Sequence, residues 1–173
     1  CLWLFRENEA RHTNGRLLFG SAALAALSIP VYVYTFFDAD PLFRVLFSIP
    51  VFLAVTGFFL WMLAQGRQRR MSIAHLAMLG AMANLVVGAL FGVLMQAQIA
   101  AKDLSMPGLF IAHPVTMVIG YLILVGMAVS EWRFVKETGR LSRLGLVQIG
   151  LPFLGGVLLT IGAVGNINAL FIL

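Results

Sequence analysis

The chain has 173 residues, of which 61% are hydrophobic and 11% charged, against about 25% charged in a typical soluble domain. With a net charge of +5 and a mean hydropathy of +0.95, it is neither an ordinary soluble enzyme nor a nucleic-acid binder, because its cations gather at the ends of apolar runs. The single cysteine, Cys1, excludes an intramolecular disulfide framework and a cysteine-rich metal site.

Five apolar runs follow one another: Leu17–Phe37, Leu42–Ala64, Met71–Ala101, Leu109–Trp132 and Leu144–Leu173. Each is long enough to cross ~30 Å of hydrocarbon at ~1.5 Å per residue, and only a helix satisfies its own backbone there. The fold class is therefore all-α, a polytopic transmembrane bundle of about five spans forming one membrane domain over residues 1–173. Short linkers make consecutive spans antiparallel neighbours. Ahead of the first run, Cys1-Leu2-Trp3-Leu4-Phe5 reads as the last turn of an earlier span, so a further span is expected before residue 1. A mature lipoprotein cysteine is the alternative, and it conflicts with the charge asymmetry.

That asymmetry is strong. Arg6, Arg11 and Arg16 precede span one, Arg67, Arg69 and Arg70 follow span two, and Arg133, Lys136, Arg140 and Arg143 follow span four, so ten of the twelve basic residues share one side. By the positive-inside rule that side is cytoplasmic, in a bacterial or archaeal cytoplasmic membrane. Arg44, one turn into span two from the outside, reads as a snorkelling residue.

Pro30 and Pro50 lie inside spans one and two, each closing a Ser-Ile-Pro triplet, and predict kinks that shape packing. Span two carries Phe43, Phe47, Phe52, Phe58, Phe59 and Trp61 and reads as the lipid-exposed helix. In span three Gly80, Asn84, Gly88 and Gly92 recur every four residues, a small-residue stripe that predicts close approach of another helix, with Asn84 hydrogen-bonded across the interface. Span five, with Gly145, Gly150, Gly155, Gly156, Gly162 and Gly165, reads as a second tightly packed helix.

The candidate functional residues are His12, His75 and His113, since neutral imidazole is the usual axial ligand of haem iron. His113, Met117, Gly120, Leu124 and Glu131 fall along one face, where a glycine could seat the edge of a planar macrocycle. Spans three and four are antiparallel, so His75 and His113 are expected at opposite faces, on the order of 20 Å or more apart, and one haem cannot bridge them. His12 and His75 share a side. Pro114 suggests that a helix starts beside His113, which would make that histidine interfacial.

Arg11-His12-Thr13-Asn14 followed by Leu18-Phe19-Gly20 resembles the start of the haem-ligating second helix in the cytochrome cbb3 oxidase and nitric oxide reductase branch of the haem-copper oxidases. Ala74-His75 with Met78-Leu79-Gly80 and Gly88 is similar to the histidine-bearing helices of small proteins related to that subunit. The resemblance implies His12 or His75 as an axial ligand to haem b. The chain lacks the paired histidines of a copper centre and a cross-linkable Tyr-His pair, so oxygen or nitric oxide reduction is not expected of it alone.

No phosphate-cradling loop, zinc spacing or buried carboxylate pair is present, and no catalytic residue is assigned. The expected function is an integral membrane subunit of a redox or energy-converting complex, holding b-type haem or acting as a scaffold. Its expected partners are the bilayer and other membrane subunits, the latter docked by helix packing through Gly80, Asn84, Gly88 and Gly92. The competing reading is a small-solute transporter, for which Asn84 is the one strongly polar side chain placed at mid-membrane.

Overall fold

A computed structural model describes residues 15–38, 40–66, 71–102, 105–134 and 141–165. His12, the Cys1–Phe5 segment, most of the arginine-rich linkers and the stretch after Gly165 lie outside the described residues. Those described form five helices long and apolar enough to cross a membrane: Gly15–Phe37, Pro41–Gly66, Ile73–Ala101, Leu109–Phe134 and Arg143–Gly165. Among the described residues all regular structure is helical. Consecutive spans pack side by side, one on two, two on three and three on four, and span five lies against spans three and four.

The centre of the bundle is span three, where 39% of the most apolar window is buried, against 11% for span one. Its core cluster joins Trp61 and Met62 of span two, Ala74, Ala77, Met78, Leu79 and Met82 of span three, and Ala128 of span four. Alanines on the central helix let the long, unbranched methionines and the indole fill the space between backbones. Span one stands at the margin and packs on span two through small hydroxyl residues. Ser21, Ser28 and Thr35 are all buried and lie seven residues apart, the repeat that keeps one seam facing a partner helix.

Two packing expectations are revised. Span two is not the most exposed helix, because Trp61 is buried and stacks on Phe58 with ring centroids 5.7 Å apart. Span one takes the exposed place, with Phe19, Leu27, Tyr34 and Phe37 all more than 70% exposed. Span five is not tightly packed along its length. A Cβ at Gly145 would meet Ile73 and one at Gly156 would meet Gly120, but at Gly150 and Gly155 it would enter open space.

Pro30 and Pro50 lie inside their helices as expected, and Pro152 lies inside span five. Pro114 has a different effect. Span four is α-helical over Leu109–Val115, π-helical over Thr116–Ile123 and α-helical again over Leu124–Phe134. Proline cannot donate to the carbonyl four residues back, and the helix reorganises just beyond it. The Thr116 hydroxyl donates to the Ala112 carbonyl at 2.7 Å and lies 3.0 Å from that of His113, holding the junction together.

Candidate functional site

The small-residue stripe of span three is filled by span four in antiparallel register. Reading outward from Gly80, a Cβ there would meet Leu124 and Phe153, Asn84 occupies the space beside Gly120, and a Cβ at Gly88 would meet Met117 and Thr116, each at 3.1 Å. One turn further, a Cβ at Gly92 would lie 3.1 Å from Cε1 of the His113 ring. Gly120 is pinched from two sides: its Cβ would fall 2.5 Å from Asn84 Oδ1, and Gly156 of span five approaches from the other side. Three helices meet where Gly120 alone fits. The face proposed from sequence, His113 with Met117, Gly120 and Leu124, is thus the face that meets span three. The glycine expected to seat a macrocycle is covered by Asn84.

His113 is placed deeper than Pro114 suggests. The helix begins at Leu109 rather than at the proline, and the imidazole Nδ1 donates to the carbonyl of Gly88 at 2.8 Å. Gly88 stands at the middle of Ile73–Ala101, so His113 reaches the midpoint of the central span instead of its end. A carbonyl only accepts, so Nδ1 carries the proton, and in the neutral ring Nε2 holds the lone pair. Thirteen residues separate Gly88 from His75, ~20 Å of helix rise, so the two histidines stand well apart along the bundle, but His113 meets the middle of span three rather than the opposite face.

His75 has the opposite polarity. It is the third residue of span three, and with Ser72 it forms a capping box: the Ser72 hydroxyl lies 2.7 Å from His75 Nδ1, and the Ser72 N–H points at the same nitrogen from 3.4 Å. The His75 N–H in turn donates to the Ser72 hydroxyl oxygen at 3.4 Å. Backbone N–H only donates, so Nδ1 is the acceptor and the proton of the neutral ring sits on Nε2. The bond to Ser72 ties the ring to the start of span three.

Asn84 and Thr160, at membrane depth, bond within their own helices. Asn84 Nδ2 donates to its own helix at Gly80 O, 3.0 Å away, and Thr160 Oγ1 to Gly156 O at 2.7 Å. Asn84 therefore packs across the interface, but its amide bond is made within its own helix. Sequence reasoning missed Gln96, which continues the same four-residue stripe one turn past Gly92. It is 3% exposed, and its Oε1 has no hydrogen-bond partner among the described residues. The spacing 80, 84, 88, 92, 96 was the available signal. No group of three His, Cys, Asp or Glu side chains that could hold a metal ion is found among the described residues.

These features define an integral membrane protein built around one central helix. Comparison with protein-family models, curated proteins and solved structures gives no match to this chain.

Proposed function

We propose that the chain is a scaffold subunit of a larger redox or energy-converting membrane complex, its arginine-rich linkers on the cytoplasmic side. The observation that supports the scaffold role is the closed fit of spans three and four: each glycine from Gly80 to Gly92 faces a side chain of the same molecule, and Asn84 fills the space beside Gly120. Two interior histidines serve a helix end and a crossing, His75 at Ser72 and His113 at Gly88. The redox assignment rests on the resemblance at Arg11–Asn14 and Ala74–Gly80. With the stripe filled from within, other subunits would dock on the exposed faces of spans one and five rather than on Gly80–Gly92.

A second reading, one b-type haem, is favoured by a specific observation at His113 and not at His75. Metal-bound histidines characteristically donate their other ring N–H to a backbone carbonyl or carboxylate, and His113 does so to Gly88. A haem there would supply one-electron chemistry, and His113 would hold it through Nε2. His75, with its capping tautomer, and His12 would then have no axial role.

The test is to isolate the tagged chain in mild detergent from its own membrane, size the particle and record a dithionite-reduced spectrum. A particle several-fold heavier than the 18.9 kDa chain, without an α-band from this subunit, is the scaffold outcome. An α-band lost in His113→Ala and kept in His75→Ala would establish the haem reading. A lone protein in detergent with neither property would sink both.

A further inference from the structure

We propose that Arg44 holds the phosphate of a membrane phospholipid at the connected end of spans one and two. Arg44 is the fourth residue of the helix that begins at Pro41, and span one ends at Phe37. Helical side chains lean toward the N-terminus of their own helix, which for span two at this end is the direction of the membrane surface. The contacts agree with that lean. Arg44 Nε donates to Thr35 O at 3.1 Å, and the guanidinium carbon lies 5.3 Å from the centre of the Phe36 ring. The cation therefore stands level with the last turn of span one, at about the depth of the headgroup layer.

These two contacts orient the group and leave most of its donors unused. A guanidinium is a planar fork of five N–H donors. Thr35 O takes the one on Nε. The four on Nη1 and Nη2 have no partner among the described residues, and no carboxylate there pairs with the cation. Asp40, four residues earlier, accepts from the Leu42 N–H through Oδ1 at 2.8 Å and so serves the start of span two. A half-buried cation without a counter-ion is costly at this depth. Parallel bonds from Nη1 and Nη2 match two oxygens of a phosphate, a geometry that a lysine at this position would not offer.

The source of the phosphate follows from the surroundings. Tyr34, Phe36, Phe37 and Phe43 are large, apolar and exposed, and all lie within ten residues of Arg44. A soluble anion would have to leave water to reach a cation in that aromatic belt. A phospholipid already carries its phosphate at this level, and its acyl chains cover the rings.

The test uses the full chain, with ¹³C-labelled arginine, in frozen nanodiscs of phosphatidylglycerol and measures dephasing of the Arg44 Cζ signal by ³¹P. That signal is assigned by its loss in Arg44→Gln, or in Arg44→Lys where loss of the charge prevents insertion. The expected result is dephasing as fast as in a direct guanidinium–phosphate pair, retained when the bilayer is diluted with phosphate-free galactolipid and abolished when galactolipid replaces all phospholipid. Dephasing that falls in proportion to dilution marks bulk headgroup contact and would overturn the site. So would dephasing restored in galactolipid nanodiscs by inorganic phosphate, which assigns a soluble anion. In native mass spectra the Kd for one retained phosphatidylglycerol should rise about tenfold in Arg44→Gln. Thr35→Ala, which alters the same seam but keeps the carbonyl that orients Arg44, should leave that Kd unchanged. Equal retention by Arg44→Gln and the unaltered chain, or an equal rise in Thr35→Ala, would also deny the site.

Discussion

Spans one and two meet through small polar residues, and so do spans three and four, yet the two seams work differently. In the first, the Ser28 hydroxyl donates to Leu24 O at 2.7 Å, Thr35 to Tyr32 O at 2.6 Å and Ser48 to Val45 O at 2.7 Å. Each hydroxyl is satisfied by its own helix and acts across the seam only as a small shape. A polar tie between those helices comes at their connected end, where Arg44 Nε donates to Thr35 O at 3.1 Å and the guanidinium lies 5.3 Å from the Phe36 ring centre. In the second seam His113 reaches across mid-span to Gly88 O. A short hydroxyl folds back onto its own turn, whereas an imidazole on a helix interior must find its carbonyl on a neighbour. Burial of a polar residue therefore does not make it a cross-link; the reach of its side chain decides.

The largest effect that would sharpen this contrast is at the three-helix crossing. Gly120→Leu should destabilise by about 3 kcal/mol or more through overpacking against Asn84 and Gly156, seen as loss of the folded fraction after heating in detergent. Next, His113→Ala removes the cross-seam bond and the ring packed on Gly92. A loss of about 1–2 kcal/mol is expected, read from the denaturant midpoint in mixed micelles. Ser72→Ala, which removes the hydroxyl that caps span three, should lose about 1 kcal/mol. Its signature is faster hydrogen exchange confined to the amides of residues 73–76. Smallest of all, Ser28→Ala should stay within about 0.5 kcal/mol. A Ser28→Ala loss equal to that of His113→Ala, in the same denaturation assay, would erase the distinction between the seams.

Much of the architecture was legible because hydropathy is a sum over many residues. The four spans that the described residues cover to both ends agree with the apolar runs to within about two residues at each end, the ordinary uncertainty of a helix terminus. The stripe at Gly80, Asn84, Gly88 and Gly92 was legible too, since four-residue spacing puts its members on one face. Which side chains fill it was not, because that depends on the register of a second helix. Trp61 shows the limit from the other direction. Its composition suits lipid, but its position places it in the core cluster that holds Ala74 and Ala77. Gly150 and Gly155 likewise look like interface residues and face open space, since a glycine count carries no direction. The opposite protonation of His75 and His113 depends on a hydroxyl three residues upstream and on a carbonyl twenty-five residues away. The first was readable beside His75; the second needed the fold.

The π-helical stretch at Thr116–Ile123 has a consequence for how this sequence tolerates change in length. Each of its rings encloses one residue more than an α-helical ring, so it holds spare chain between two fixed anchors, His113 on Gly88 and Leu124 on Gly80. Removing one residue from an α-helix turns everything beyond it by about 100°, which would break the register of the helix that follows. Within this stretch the loss can be taken up by tightening the rings. In a single-residue deletion scan of Leu109–Phe134, survivors should cluster between 116 and 123, and a scan with survivors spread evenly along the span would deny the stretch that role.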